Sequence, residues 1–178
     1  MIFQDGIIDV AEFCPSPNYD ERPKKCEIDL LVIHAISLPE GKYNTQLIKD
    51  LFLNKLESGK DEFLRSIQDL RVSSHFLITR KGALIQFVPI DKRAWHAGIS
   101  IYKGRENCND FSIGIELEGC DKERFEEEQY FTLQELTRCL LKQFSISKES
   151  IVGHADIAPG RKTDPGPYFV WDQYINNL

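Results

Sequence analysis

The stretch EIDLLVIH, residues 27–34, constrains the fold more than any other part of the chain. Its aliphatic and β-branched residues run without polar alternation, the pattern of a strand buried on both faces. Such a strand belongs inside a sheet. The run ends in His34, where the chain passes into a loop containing Pro39 and Gly41. An imidazole at the end of a buried strand is held firmly and still faces open space, which suits a functional site.

The remaining elements fit around that strand. HFLITR (75–80) and ALIQFVP (83–89) flank Lys81-Gly82 and predict a β-hairpin. SIGIELEG (112–119) alternates: Ser112, Gly114, Glu116 and Glu118 share one face, and Ile113, Ile115 and Leu117 share the other. Apolar spacing predicts helices over Thr45 to Leu56 and Phe131 to Phe144, the second with a capping-box spacing at Thr132 and Glu135. A short helix is expected over 61–67, a short strand at 150–153 and a closing helix over 168–177. Residues 93–110 read as a polar loop. Strands and helices interleave, so the expected fold is mixed α/β, a central mixed β-sheet flanked by helices. With 178 residues, a single domain spanning 1–178 is expected.

Charge and cysteine usage exclude several function classes. The formal net charge of −6 gives no basic footprint for a nucleic-acid partner. No apolar run is long enough to span a membrane, and the N-terminus lacks the pattern of a signal peptide. Five scattered cysteines without a CxxC read as free thiols, which places the protein in a reducing cytoplasm.

Residues 153–167, GHADIAPGRKTDPGP, carry the densest chemistry. Gly and Pro stiffen and turn the segment around His154, Lys162 and Asp164. With His34, they complete two imidazoles and one carboxylate, a catalytic zinc set with a fourth position open. Lys162, two residues before Asp164, would point to the same side of an extended segment and could stabilise an oxyanion. Hydrolysis also needs a base. Glu116 and Glu118 both qualify by pattern, because a carboxylate on the inner side of a strand is costly unless it is paired or working.

Five blocks, LLVIHAISLP, SSHFLI, RAWHAG, NDFSIGIELEG and GHADIAPGRKTDPGP, together resemble the AmpD-type N-acetylmuramoyl-L-alanine amidases of the amidase and peptidoglycan-recognition superfamily. The blocks cover residues 28 to 172. The resemblance implies one zinc held by His34, His154 and Asp164, with Glu116 as catalytic carboxylate and Lys162 steadying the tetrahedral intermediate. It implies hydrolysis of the amide between the lactyl group of 1,6-anhydro-N-acetylmuramic acid and L-alanine, during cytoplasmic cell-wall recycling. A monomer acting on a small soluble muropeptide is expected.

Arg71 and Arg161 are candidate clamps for substrate carboxylates. Trp95 and His96 are candidate wall residues on the sugar side, or core packing, and a structural role is expected for His75. Ala35 stands where the family commonly has asparagine, and so brings no side-chain hydrogen bond. The competing readings are a muropeptide-binding module without catalysis and an amidase acting on polymeric wall.

Overall fold

The computed structural model describes residue 1 and residues 3–178. Six strands form the main sheet: β1 (Glu12–Phe13), β2 (Leu30–Ile36), β3 (Phe76–Ile78), β4 (Leu84–Gln86), β5 (Ser112–Glu118) and β6 (Ile151–Gly153). Their order is β6-β2-β5-β3-β4-β1. All neighbours run parallel except β3 and β4, the predicted hairpin, so the sheet is mixed. Five helices accompany it: α1 (Thr45–Phe52), α2 (Glu62–Ile67), α3 (Glu127–Gln143), α4 (His154–Ile157) and α5 (Trp171–Ile175).

Strand β2 is covered on both faces, as its apolar run requires. Leu31 and Ile33 pack with Ile113, Ile115 and Leu117, against Leu133, Leu136 and Leu140 of α3 and Tyr174 of α5. Leu30 and Val32 face the other way, into a cluster with Ala97, Cys108, Phe111 and Ile157. On the same side of the sheet, Ile48, Leu51 and Phe52 of α1 and Leu64 of α2 pack on Leu77 and Ile85. Fully burying each such side chain contributes about 1.5–3 kcal/mol. Neither face can be left open without losing a whole set of these contributions.

Three helices differ from their expected bounds, and the closing one, α5, covers Trp171–Ile175 rather than 168–177. Helix α1 stops at Phe52 rather than Leu56, because Asn54 adopts a left-handed conformation (φ 58°) and its side chain donates to Asn18 Oδ1 at 3.1 Å. Helix α3 starts at Glu127 rather than Phe131. Its start is fixed by Gln129, whose Oε1 accepts from the Glu126 N–H at 3.1 Å. Thr132, the expected cap, lies inside the helix and donates its hydroxyl to the Gly82 carbonyl at 2.7 Å.

The 93–110 segment is more ordered than a loop. Lys92–Ala94 pairs antiparallel with Tyr19–Glu21, and Ile101–Tyr102 pairs with Arg105–Glu106 across a turn at Lys103-Gly104. Between these two ladders lies Trp95-His96-Ala97-Gly98.

Candidate metal centre and active site

Three adjacent parallel strands bring the site together at their C-terminal ends. His34 lies near the end of β2, Glu116 near the end of β5, and His154 directly after β6. The crevice beyond the carboxyl ends of parallel strands is where open α/β sheets place ligands. In the β2–β5 register His34 is paired with Glu116, so the two side chains share one face.

The turn sequence around His154 places the third group. Gly153 must be glycine: a Cβ there would lie 2.8 Å from Cδ of Pro165. That close approach lets the loop fold back, and Asp164 O accepts from Ala155 N at 2.9 Å. Asp164 Oδ2 then stands 3.1 Å from His154 Nδ1 and 3.3 Å from His34 Nδ1, with the two Nδ1 atoms 2.9 Å apart. Three residues separated by up to 130 positions thus point their donor atoms at one spot, and they form the candidate metal centre among the described residues.

The protonation pattern shows what this spot is built to hold. His154 Nε2 lies 3.1 Å from the Ala97 carbonyl oxygen, so the tautomer with its proton on Nε2 is satisfied there and leaves a lone pair on Nδ1 for a cation. That lone pair is aimed at a carboxylate oxygen. Burial lowers the His34 pKa to about 4, although hydrogen bonding to Asp164 pulls the other way. Burial would raise the Asp164 pKa, but hydrogen bonds and charge interactions with His154 and His34 outweigh it and hold the carboxyl well below its ordinary range. With each ring proton on the far nitrogen, two Nδ1 lone pairs and an ionised carboxylate make an electron-rich pocket suited to a cation. A tetrahedral ion with bonds of about 2.0–2.2 Å sets its ligands roughly 3.3–3.6 Å apart, close to the spacing found.

Glu116 differs from Glu118 in what it touches. Glu118 is buried and satisfied: Thr45 Oγ1 donates to Oε1 at 3.0 Å and Arg80 N–H to Oε2 at 3.1 Å. Glu116 Oε2 is buried and has no hydrogen-bond partner among the described residues. Burial, reinforced by the Asp164 charge and opposed by Lys162, raises its pKa well above the usual carboxylate value. Of the pair, it is the carboxylate with an oxygen free to take up a proton and give it back.

Glu116, His154, Asp164 and Lys162 line a cavity of about 230 Å³ whose other walls include Leu38, Phe63, Val72 and Trp95. A second cavity of about 280 Å³ is lined by Asp164 and Lys162 together with Glu40, Asp121 and Arg161. Ala35 lines both. The sequence-predicted substrate contacts divide among these walls. Trp95 lies in the first cavity, with its Nε1 buried and unpaired. Arg161 lies in the second, and its Nη2 donates to the Ala97 and Ile99 carbonyls at 2.5 and 2.7 Å. Arg71 is exposed beside the cavity residues Leu70 and Val72, lines neither cavity, and donates to the Leu70 carbonyl at 3.3 Å.

The comparisons with known proteins agree with this geometry. The family model described as N-acetylmuramoyl-L-alanine amidase matches residues 24–167. The chain belongs to the N-acetylmuramoyl-L-alanine amidase family. This amidase is 46% identical to the 1,6-anhydro-N-acetylmuramyl-L-alanine amidase AmpD of Haemophilus influenzae, over 98% of the chain and 96% of that protein. It is 48% identical to AmpD of Escherichia coli, over 98% and 95%. A crystal structure of a selenomethionine AmpD derivative superposes with a TM-score of 0.96 at 45% identity, covering 100% of this chain and 99% of that one. The amidase AmiD of Escherichia coli, solved with anhydro-N-acetylmuramic acid-L-Ala-D-γ-Glu-L-Lys as substrate, matches with a TM-score of 0.63 at 34% identity, covering 88% of this chain and 60% of that one.

His96, a pocket wall or core packing by sequence, lines the first cavity and also contacts a donor histidine. His96 Nδ1 lies 2.9 Å from His34 Nε2, and His96 Nε2 lies 3.1 Å from Ser112 Oγ. Asn109 Oδ1 accepts from both His96 N and Ala97 N, at 3.1 and 2.8 Å. The WHAG run, a small residue and a glycine beside a histidine, was the only signal in the sequence. His75 is structural: it is fully buried, its Nδ1 accepts from Gly114 N at 3.0 Å, and its Nε2 donates to the Lys92 carbonyl at 3.0 Å.

Proposed function

We propose that this amidase is a zinc enzyme that hydrolyses the amide between the lactyl group of 1,6-anhydro-N-acetylmuramic acid and L-alanine in soluble muropeptides. The observation that carries the proposal is the convergence of His34 Nδ1, His154 Nδ1 and Asp164 Oδ2 within 3.3 Å of one another, next to an unpaired Glu116. The names of the full-length relatives supply the bond and the sugar.

Zinc held by the three residues supplies Lewis acidity, making a water acidic near neutral pH and polarising the scissile carbonyl. Glu116 Oε2 takes the proton of the attacking water and returns it to the departing alanine nitrogen. Its raised pKa suits both halves of that transfer. Lys162 brings a positive charge to the same cavity, where the carbonyl oxygen gains negative charge. Apolar walls from Leu38, Phe63 and Val72 limit water around these groups and strengthen their interactions.

Trp95 and Arg161 each line one of the two cavities as substrate contacts, and Arg71, which lines neither, is left as an exposed cation beside the first. We assign the whole chain to one domain, acting as a monomer in the cytoplasm. Five free thiols fit a reducing compartment, and no helix among the described residues is long and apolar enough to cross a membrane.

A defined anhydro-muropeptide tests the proposal. The expected products are free anhydro-N-acetylmuramic acid and a peptide beginning with L-alanine, at a rate that far exceeds release from insoluble sacculi. Faster release from sacculi would assign the enzyme to polymeric wall instead.

A further inference from the structure

We infer that the Trp95-His96-Ala97-Gly98 segment is an outer bracket for the metal centre, in which His96 is a positioning residue that sets the tautomer of His34. The inference rests on the zinc reading above. It adds an assignment for a side chain that lines the first cavity and acts on the metal centre through His34.

Both metal-facing histidines need Nδ1 free of a proton, so each must place its proton on Nε2 and give it to an acceptor. The same short segment supplies both acceptors. His154 Nε2 meets the Ala97 carbonyl at 3.1 Å. His34 Nε2 meets His96 Nδ1 at 2.9 Å. For His96 to accept there, its own proton must sit on Nε2, which faces Ser112 Oγ at 3.1 Å. The hydroxyl is the one group in this chain that can either donate or accept, so it permits the order His34 Nε2–H to His96 Nδ1, then His96 Nε2–H to Ser112 Oγ. The reverse order would place a proton on His34 Nδ1 and close it to the cation.

The surroundings fix the bracket in place. Asn109, itself buried, holds the backbone of His96 and Ala97 with one oxygen. Gly114 makes room for the ring: a Cβ there would lie 2.5 Å from His96 Cγ and Nδ1. His75, whose Nδ1 accepts from the Gly114 backbone, packs its ring 5.7 Å from that of His96. These contacts hold the His96 ring in line between His34 and Ser112, and a cation on His34 Nδ1 selects the order that leaves that nitrogen free of a proton.

The test compares wild type with His96→Leu, which fills the space without an acceptor, and His96→Asn, whose Oδ1 stands where Nδ1 stood. Zinc affinity is read by competition with a chelator, after thermal melts of the metal-free proteins establish folding. Loss of a second-sphere partner typically weakens metal binding by about 10–100-fold. His96→Leu is expected to fall in that range, and His96→Asn to stay within roughly threefold of wild type. A folded His96→Leu with wild-type affinity would overturn the inference. Should His96→Leu fail to fold, side-chain nitrogen NMR of zinc-loaded wild type decides: a proton on His96 Nε2 is expected, and one on His96 Nδ1 would overturn it. If wild type itself bound no zinc, the failure would lie with the zinc reading instead.

Discussion

Glu116 and His34 are paired residues on neighbouring parallel strands, and their side chains rise from the same face of the sheet. In the proposed reaction one would exchange the proton and the other would hold the cation. Their spacing is therefore set by strand pairing rather than by a mobile loop, the most rigid support a catalytic pair can have.

Glu116→Gln should separate metal binding from chemistry. The amide keeps the volume and removes the base. Turnover is predicted to fall by about 10²–10⁴-fold, with zinc content unchanged. Steady-state kinetics alongside metal analysis reads both, and a variant that keeps most of its turnover would remove Glu116 from the proton transfer.

Lys162→Met should leave zinc in place and lower kcat by about 100- to 1,000-fold, the cost of one oxyanion donor. The side chain lines the cavity with Glu116 and Asp164 and holds neither. If KM rose instead with kcat unchanged, the ammonium would be a substrate clamp and not a transition-state group.

Much of this site is legible in the sequence, and what is hidden is hidden for physical reasons. His154 and Asp164 stand out because titratable groups seldom share a segment with so many Gly and Pro residues, and His34 because it closes a buried apolar strand. Glu116 and Glu118 cannot be separated by period, since both occupy one strand face. They differ only because Thr45 and Arg80 satisfy Glu118, and those residues lie 73 and 38 positions away. The contact of His96 with His34 is hidden for the same reason, as the two are 62 residues apart. The start of α3 is misread because Thr132 and Glu135 have a cap's spacing while Thr132 instead bonds to the hairpin turn at Gly82. Local pattern gives the elements, and long-range contacts decide which of two equivalent residues works.

Gly114→Ala should disturb the centre from a position that touches no donor. The added Cβ meets the His96 ring at 2.5 Å. Overpacking of this kind costs about 1–3 kcal/mol, and the displaced ring loosens His34. Thermal melts and chelator competition are both predicted to report a loss. Unchanged melting would mean the ring has room to move.

Asn109→Ala should destabilise the protein by about 1–3 kcal/mol, because one buried oxygen satisfies two backbone N–H groups. Urea denaturation of the metal-free protein measures it. A value near zero would indicate that water replaces the side chain.

Acid should weaken the metal-free fold through its buried imidazoles, opposed only by Glu116, whose raised pKa lets the folded state take up a proton. Burial lowers the pKa of His34 to about 4 and, with help from the Arg22 charge, that of His75 to about 3. Unfolded histidine titrates near about 6.5. Between those values the unfolded chain binds more protons, so the stability is fully present above about pH 6.5 and is lost as pH falls towards 4. Each histidine adds at most about 1.4 kcal/mol per pH unit. Urea midpoints are predicted to drop steadily from pH 6.5 to 5, and a flat profile would show that these imidazoles are solvated.

The most direct test of the account is zinc stoichiometry measured on purified protein and on His34→Ala, His154→Ala and Asp164→Ala, each assayed on the anhydro-muropeptide. The account predicts one zinc per chain in wild type, and loss of both zinc and turnover in all three variants. Wild-type turnover by protein stripped of metal, or by any one of the three variants without its ion, would contradict it.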